Sequence, residues 1–366
     1  MNSTTNKHPG RHTYDVKAVT SLLRPFARAS LMQPIAIFVF DLTLYAGATT
    51  IAVASDLVAI KILAGCVSGL LIGLLFVVGH DACHGSFTPK PRLNRLIGMV
   101  AFIPSAHAFS LWALGHNRIH HRYTNLKEID YVWRPFSKPE FDALPMHRRI
   151  LERIYRSISG HGVYYAYEIW WKNMLFPNVS EVPERRREYT ADSLLAVMGN
   201  LLVVASILLL AKHYHHGWLS SLLVAWLLPF VVWNWLMGFM IYQHHTHPSV
   251  AWFDNTEDWE YWESQIECTT HIKFPRIFNF ILHNIMEHPA HHAFTAIPLY
   301  KLSRAQERLE QHLSARMTVV RWTPRDYFRT VTDCKLYDYQ THRWLDFTGQ
   351  PTTESSLIRA HSAAAP

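Results

Sequence analysis

The chain has 366 residues, of which 49% are hydrophobic and 13% aromatic, while Asp, Glu, Lys and Arg together make only 17%. Soluble globular chains carry about 25% charged residues, so this composition excludes a disordered, collagenous or coiled-coil protein and points to the membrane. The net charge of +7 would suit nucleic acid, anionic lipid or an acidic protein partner until the positions of the charges are known. Cys66, Cys83, Cys268 and Cys334 contain no C-x-x-C pair, which excludes a disulfide framework or a zinc ribbon as the organising feature.

In chain order, residues 1–30 are polar or amphipathic, with an interfacial helix expected over residues 20–28. No cleavable signal precedes the first apolar run, so that run is expected to be retained. A membrane-crossing helix needs about 20 mostly apolar residues. Four runs qualify, at about residues 31–53, 57–79, 193–211 and 218–241, and their short connections group them as two hairpins. A fifth apolar stretch, residues 97–115, is interrupted by Pro104 and His107. Residues 140–172 mix basic side chains with Tyr164, Tyr165, Tyr167, Trp170 and Trp171, a composition that suits interfacial or cap helices. From Thr352 onward the chain is small, polar and Ala-rich, and is expected to be a disordered tail.

Of the 35 Lys and Arg residues, 5 precede the first span, 16 lie between the second and third, and 12 follow the fourth. The positive-inside bias then places both termini and the central segment in the cytoplasm. Basicity is thereby accounted for by topology, and no nucleic-acid partner is expected. The location expected is a bacterial inner membrane or its equivalent.

Histidine is the residue in excess, with 24 copies. His80 and His84 continue directly from the second span, four residues apart and so on one face of a helix. His116, His120 and His121 form a second box, in which an α-helix would place His121 about 100° round from His120. His288, His291 and His292 form a third, where His288 can pair with either of the other two. Eight imidazoles in three boxes on one predicted side exceed the needs of one zinc, so two metals are expected, iron or copper with open positions for dioxygen. His244, His245 and His247, emerging at the end of the fourth span, offer a ninth ligand, and spacing does not choose among them. Asp81, Asn117 and His283 are candidates to orient ligand rings by hydrogen bonding, with His271 in the same class. His213, His215 and His216 sit in a connection on the opposite side of the membrane and are expected to be interfacial. If residues 97–115 crossed the bilayer, the first two boxes would be parted by its thickness. The stretch must therefore enter and return, or lie along the surface.

These motifs, HDACHGSF, HNRIHH and HPAHH, resemble the three histidine boxes of integral-membrane fatty acid desaturases. YQHHTHPSVAWFD and HNIMEHPAHHAFTAIP are similar to segments of the oleate-type (delta-12) acyl-lipid branch. The resemblance runs from the second span to about Leu309. It implies a non-haem di-iron centre held by His80, His84, His116, His120, His121, His288, His291 and His292. Aligning HHTHP on the branch's QHTHP gives His245 as the additional ligand, with His247 next and His244 beside it. It further implies O2, two electrons per turnover and a fatty acyl substrate linked to lipid, coenzyme A or a carrier protein. The sequence departs from the branch in two places: three residues separate His116 from His120 where two are usual, and Cys83 replaces a common Gly.

The fold expected is all-α: four transmembrane helices, a re-entrant or interfacial segment, and a cytoplasmic helical cap (residues 116–192 and 244–351) carrying a histidine-rich dimetal site. The activity expected is formation of a cis double bond. The rivals are a related di-iron hydroxylase, acetylenase or other hydrocarbon oxygenase and, more remotely, a metal transporter or sensor, which would want acids lining an intramembrane path where only Asp41 is evident. The histidine of His8-Pro9-Gly10 is similar to part of a cytochrome b5 haem motif but has no haem-domain segment with it. No dinucleotide fingerprint or iron–sulfur cysteine set is present. A separate ferredoxin, rubredoxin or cytochrome, with its reductase, must supply electrons, and the basic face would attract an acidic one.

Overall fold

The computed structural model describes residues 14–175 and 186–357; the His8–Gly10 motif and residues 358–366 lie outside it. Helix α1 (Val16–Leu23) starts at Asp15, whose Oδ1 accepts from the N–H groups of Lys17 at 3.0 Å and Ala18 at 3.1 Å, satisfying two of the orphan donors of a first turn. There follow α2 (Met32–Ala54) and α3 (Val58–His84), α4 (Pro91–Ala101), and α5 (Phe109–Trp112), which continues as π-helical turns over Ala113–His120. After short helical pieces between residues 138 and 175 come α6 (Arg186–His213) and α7, a continuous span over Trp218–His245. The C-terminal part holds α8 (Arg276–Ile281), α9 (His288–Ala293) and α10 (Leu299–Leu313).

Helices α2, α3, α6 and α7 are, among the described residues, the four long and apolar enough to cross a membrane. Three of them clearly outrun the expected spans: α3 reaches His84, α6 runs from Arg186 to His213 and α7 reaches His245, so histidines expected at the exits of α3 and α7 lie on their last turns. Helices α2 and α3 run antiparallel, with Lys61 Nζ donating to the Val53 carbonyl at 3.3 Å and Thr49 facing Ser68.

Helices α3 and α7 run in the same direction at close range. Gly65 lies against Val224, Gly69 against Pro229 and Val232, and Gly73 against Leu236; a Cβ at Gly69 would come 2.6 Å from the Val232 Cβ. A small residue every fourth position lets two helices in lipid approach closely. Because the two are parallel, their histidine-bearing C-terminal ends arrive together. Gly85 ends α3 at φ +72°, and the N–H of Ser86 returns to the Asp81 carbonyl at 3.1 Å, so the box histidines occupy a properly closed last turn.

Residues 97–115 do not form one helix. The chain turns between α4 and α5, with Ala106 at φ +53°. Phe102 packs on Gly79, where a Cβ would sit 2.4 Å from its ring, and Phe109 packs on Gly98. The stretch is thereby fastened to the last turns of α3, next to His80.

The fold is mostly helical, as expected, and adds two small two-stranded sheets. Strand β1 (Thr270–Lys273) pairs in parallel with β2 (Thr318–Arg321), and β3 (Leu336–Asp338) pairs antiparallel with β4 (Arg343–Leu345). Both β1 and β2 are rich in β-branched residues, which fit a pleated, half-buried surface. Residues 352–357, placed by the sequence reading in a disordered tail, run back along this second sheet: the Thr352 N–H donates to the Trp344 carbonyl at 2.9 Å and that of Ser356 to the His342 carbonyl at 2.8 Å.

Candidate metal centre

Four elements converge on one place: the last turn of α3, the π-helical turns after α5, the last turn of α7, and α9. Their imidazoles form two groups in which all the potential ligand atoms lie within 4.8 Å of one another. His80, His84, His116, His121 and His291 make the first; His120, His245, His288 and His292 make the second. These are the nine histidines singled out in the sequence, and two of the boxes divide between the groups. His116 and His121 face the first group while His120 faces the second; His291 faces the first while His288 and His292 face the second.

The division of the second box follows from its winding. In the π-helical turns the N–H of His121 donates to the His116 carbonyl at 2.9 Å, an i→i+5 bond. That wider turn brings His121 over His116, with their Nε2 atoms 3.0 Å apart, instead of leaving it a third of a turn away. Widened turns of this kind recur at functional sites.

The donor set fits metal ions. Bare Nε2 atoms face each other across short gaps: His80 to His116 at 2.8 Å, His121 to His291 at 3.1 Å and His245 to His288 at 2.9 Å. The Nε2 atoms of His84 and His292 are buried with no hydrogen-bond partner. A cluster of inward lone pairs is costly unless something electropositive satisfies it. Burial, followed by the neighbouring imidazoles, holds His116, His121, His288, His291 and His292 well below the ordinary histidine range. The rings are therefore neutral, the form that binds metal.

Three of the nine rings have a protein partner on the nitrogen that faces away from the groups. His120 Nδ1 donates to the buried carboxylate of Asp130 at 3.0 Å, and Asp130 is itself fixed by the N–H groups of Asn125 and Val132. His292 Nδ1 donates to Gln265 Oε1 at 2.8 Å. His80 Nδ1 faces Asp81 Oδ1 at 3.3 Å, while the other oxygen of Asp81 accepts the Leu299 N–H at 2.5 Å and so ties the first box to α10. Since carboxylate and amide oxygens only accept, each contact puts the proton on Nδ1 and turns the Nε2 lone pair inward.

The remaining candidates fall elsewhere. His244 lies outside both groups; it stacks on His288 with ring centroids 3.7 Å apart and its Nε2 meets Met286 Sδ at 3.3 Å. His247 also lies outside them, its Nδ1 accepting from the Ser249 N–H. Asn117 donates to the Cys83 carbonyl at 2.9 Å and orients no ring. His283 pairs with Asp41 at 2.6 Å, and His271 joins Glu287 to Glu310. His216 meets the Ala54 carbonyl at the far end of α3 from His80. Sequence reasoning missed Asp130 and Gln265. Neither carries a spacing signal: both reach their histidines only through the tertiary fold.

Beside the histidines lies a narrow apolar cavity of about 50 Å³. Phe76, Trp112, Tyr165, Trp233 and Met237 line its body, and His80, His116, His120, His245 and His288 edge it. Trp112 stacks on His116 with centroids 4.8 Å apart, so the apolar wall meets the donor cluster directly.

Residues 58–324 match the family model described as fatty acid desaturase. The chain is 32% identical over 278 residues to the sn-1 oleoyl-lipid 12-desaturase of Synechocystis sp., covering 72% of each chain. Identity to the protein of that name from Picosynechococcus sp. is 28% over 289 residues, 76% of this chain and 77% of the relative. An sn-1 acyl-lipid omega-3 desaturase (ferredoxin) of Synechocystis sp. is 29% identical over 293 residues, 77% of this chain and 76% of the relative. With a family match covering most of its length, four helices able to cross a membrane and three histidine boxes gathered around two donor groups, the chain belongs to the fatty acid desaturase family and is a membrane-bound oxidoreductase.

Proposed function

We propose that this protein is a non-haem di-iron desaturase that introduces a cis double bond into a fatty acyl chain carried by a membrane lipid. The observation that carries the reading is the meeting of two groups of largely buried imidazoles with an apolar cavity at their edge. Oleoyl-lipid and acyl-lipid substrates are named for the relatives, and a lipid-linked, oleoyl-type chain is the substrate proposed here. His80, His84, His116, His121 and His291 would hold one iron, and His120, His245, His288 and His292 the other. Bound iron would supply the reduction of dioxygen that drives hydrogen abstraction from an unactivated methylene. In sum, O2, two electrons, two protons and –CH2–CH2– give –CH=CH– and two waters.

The protein's own part is positioning and exclusion. Asp81, Asp130 and Gln265 hold ring tautomers, and the Phe76, Trp112, Tyr165 and Trp233 wall keeps bulk water from the reacting carbons while confining the chain. Which carbon reacts then depends on how far the chain reaches past the histidine edge. Residues 97–115, turned back at Ala106 and packed on Gly79, would enter and return on the side of the metals. The concentration of basic residues between the second and third spans and after the fourth supports a cytoplasmic location for that side. An acidic iron–sulfur protein is the donor proposed, in line with the ferredoxin in one relative's name.

The test is expression in a host that lacks such enzymes, with mass spectrometry of its lipids and metal analysis of the purified protein. New double bonds and about two irons per chain are expected, both lost in His120→Ala. Hydroxylated acyl chains, or purified folded protein that binds neither iron nor a comparable transition metal, would overturn the reading.

A further inference from the structure

Helix α8 sits between β1 and the third histidine box, in a region the sequence assigns to the cytoplasmic cap. Its exposure is wrong for a cap surface facing water. Ile277 is 63% exposed, Phe278 55%, Phe280 73% and Ile281 47%, whereas Asn279 is the buried residue of the helix and donates to Glu287. The polar side chain thus faces the protein and the large apolar ones face out, the reverse of a soluble amphipathic helix. Exposed apolar clusters of this kind mark an interaction surface.

What covers it is indicated by its anchor. Two residues past α8, His283 adopts φ +53° and its Nε2 pairs with Asp41 Oδ2 at 2.6 Å. Asp41 lies nine residues into α2, about 14 Å along the helix at 1.5 Å per residue, and α2 is one of the helices able to cross a membrane. Phe40 and Leu44, flanking Asp41 on α2, are exposed as well, so the outward face of α8 continues the outward face of a spanning helix. Arg276 at the start of α8 is exposed, placed where a cation would meet lipid phosphates.

The geometry points to α8 as a membrane-inserted element: it lies in the leaflet on the side of the metal centre, with Ile277, Phe278, Phe280 and Ile281 in the hydrocarbon and the His283–Asp41 pair fastening it to α2. A close acid–imidazole pair is how such polar groups are accommodated at such depth, and short helices with an apolar face lie in an interface in this way. Since α9 begins seven residues after α8 ends, the third histidine box then stands at the membrane surface and not on the far side of the cap.

Replacing Phe280 with photoreactive p-benzoylphenylalanine in the full chain, in native membranes, tests this. Irradiation is expected to give phospholipid adducts on the peptide containing residue 280, at least several-fold more than the same probe placed at exposed Glu307 on α10. Equal or absent lipid adducts at 280, or crosslinking to a second copy of the chain or to another protein, would overturn the proposal. If the Phe280 variant does not accumulate, the probe at Ile277 is read by the same outcomes. Adduct formation needs no turnover, so this result stands or falls separately from the desaturase reading.

Discussion

Asp130 shows how a residue that touches no proposed metal can govern one. It is fully buried, accepts two backbone N–H groups, and fixes His120 in the tautomer that turns Nε2 inward. Outer partners of this kind are worth about 10–100-fold in affinity or activity. Asp130→Ala is expected to lower iron content and double-bond formation by about that factor, read by metal analysis and lipid mass spectrometry, with the far-ultraviolet circular dichroism unchanged. His271 offers a titratable counterpart on β1. Burial lowers its pKa, but the hydrogen bonds that its ring donates to Glu287 and Glu310 outweigh burial and raise it above the ordinary 6.5. Lys273 and Gln306 also face Glu310, whose own pKa falls to about 2. A group with a raised folded-state pKa stabilises fully below 6.5 and loses that stabilisation as pH climbs through the folded value. Thermal unfolding in detergent is expected to fall in midpoint above pH 6.5, and His271→Gln to flatten that dependence; a slope unchanged by the substitution would contradict the assignment. The boxes themselves were legible because helical spacing brings imidazoles together within a few residues. Asp130 and Gln265 were not, since each meets its histidine from an irregular or separately packed segment and leaves no local pattern.

Among the elements, α3 carries the greatest structural demand, for it presents His80 and His84 at one end while packing glycines along α7. Gly69→Leu would place its Cβ within 2.6 Å of Val232, and overpacking of this kind costs about 1–3 kcal/mol. The helices would be levered apart along their whole contact, so His80 and His245 are expected to lose register: the variant should retain membrane insertion yet show reduced iron occupancy and a lower unfolding temperature. The four spanning helices were readable from their apolar runs. Their true ends were not, because α3 and α7 keep their hydrogen bonding past the last apolar residue. Nor does composition signal the π-helical winding of Ala113–His120, so regular α-helical spacing misplaced His121. The two small sheets escaped notice because strands of three or four residues leave too short an alternation to separate from loop.

For the molecule as a whole, topology and charge act together. Twenty-eight of the 35 basic residues lie between the second and third spans or after the fourth, on the proposed donor side. Electron transfer from an acidic donor is expected to slow as ionic strength rises from 50 to 500 mM, because the screening length shortens to about 4 Å at the upper end; rates indifferent to salt would remove the electrostatic component of docking. The interleaving of the boxes carries a different consequence. Since the π-helical segment and α9 each serve both donor groups, neither pocket can be assembled while the other stays loose. Occupation of one should preorganise its neighbour, so a titration of the apoprotein is expected to populate empty and doubly filled molecules at the expense of singly filled ones, and native mass spectrometry would display that bimodality directly.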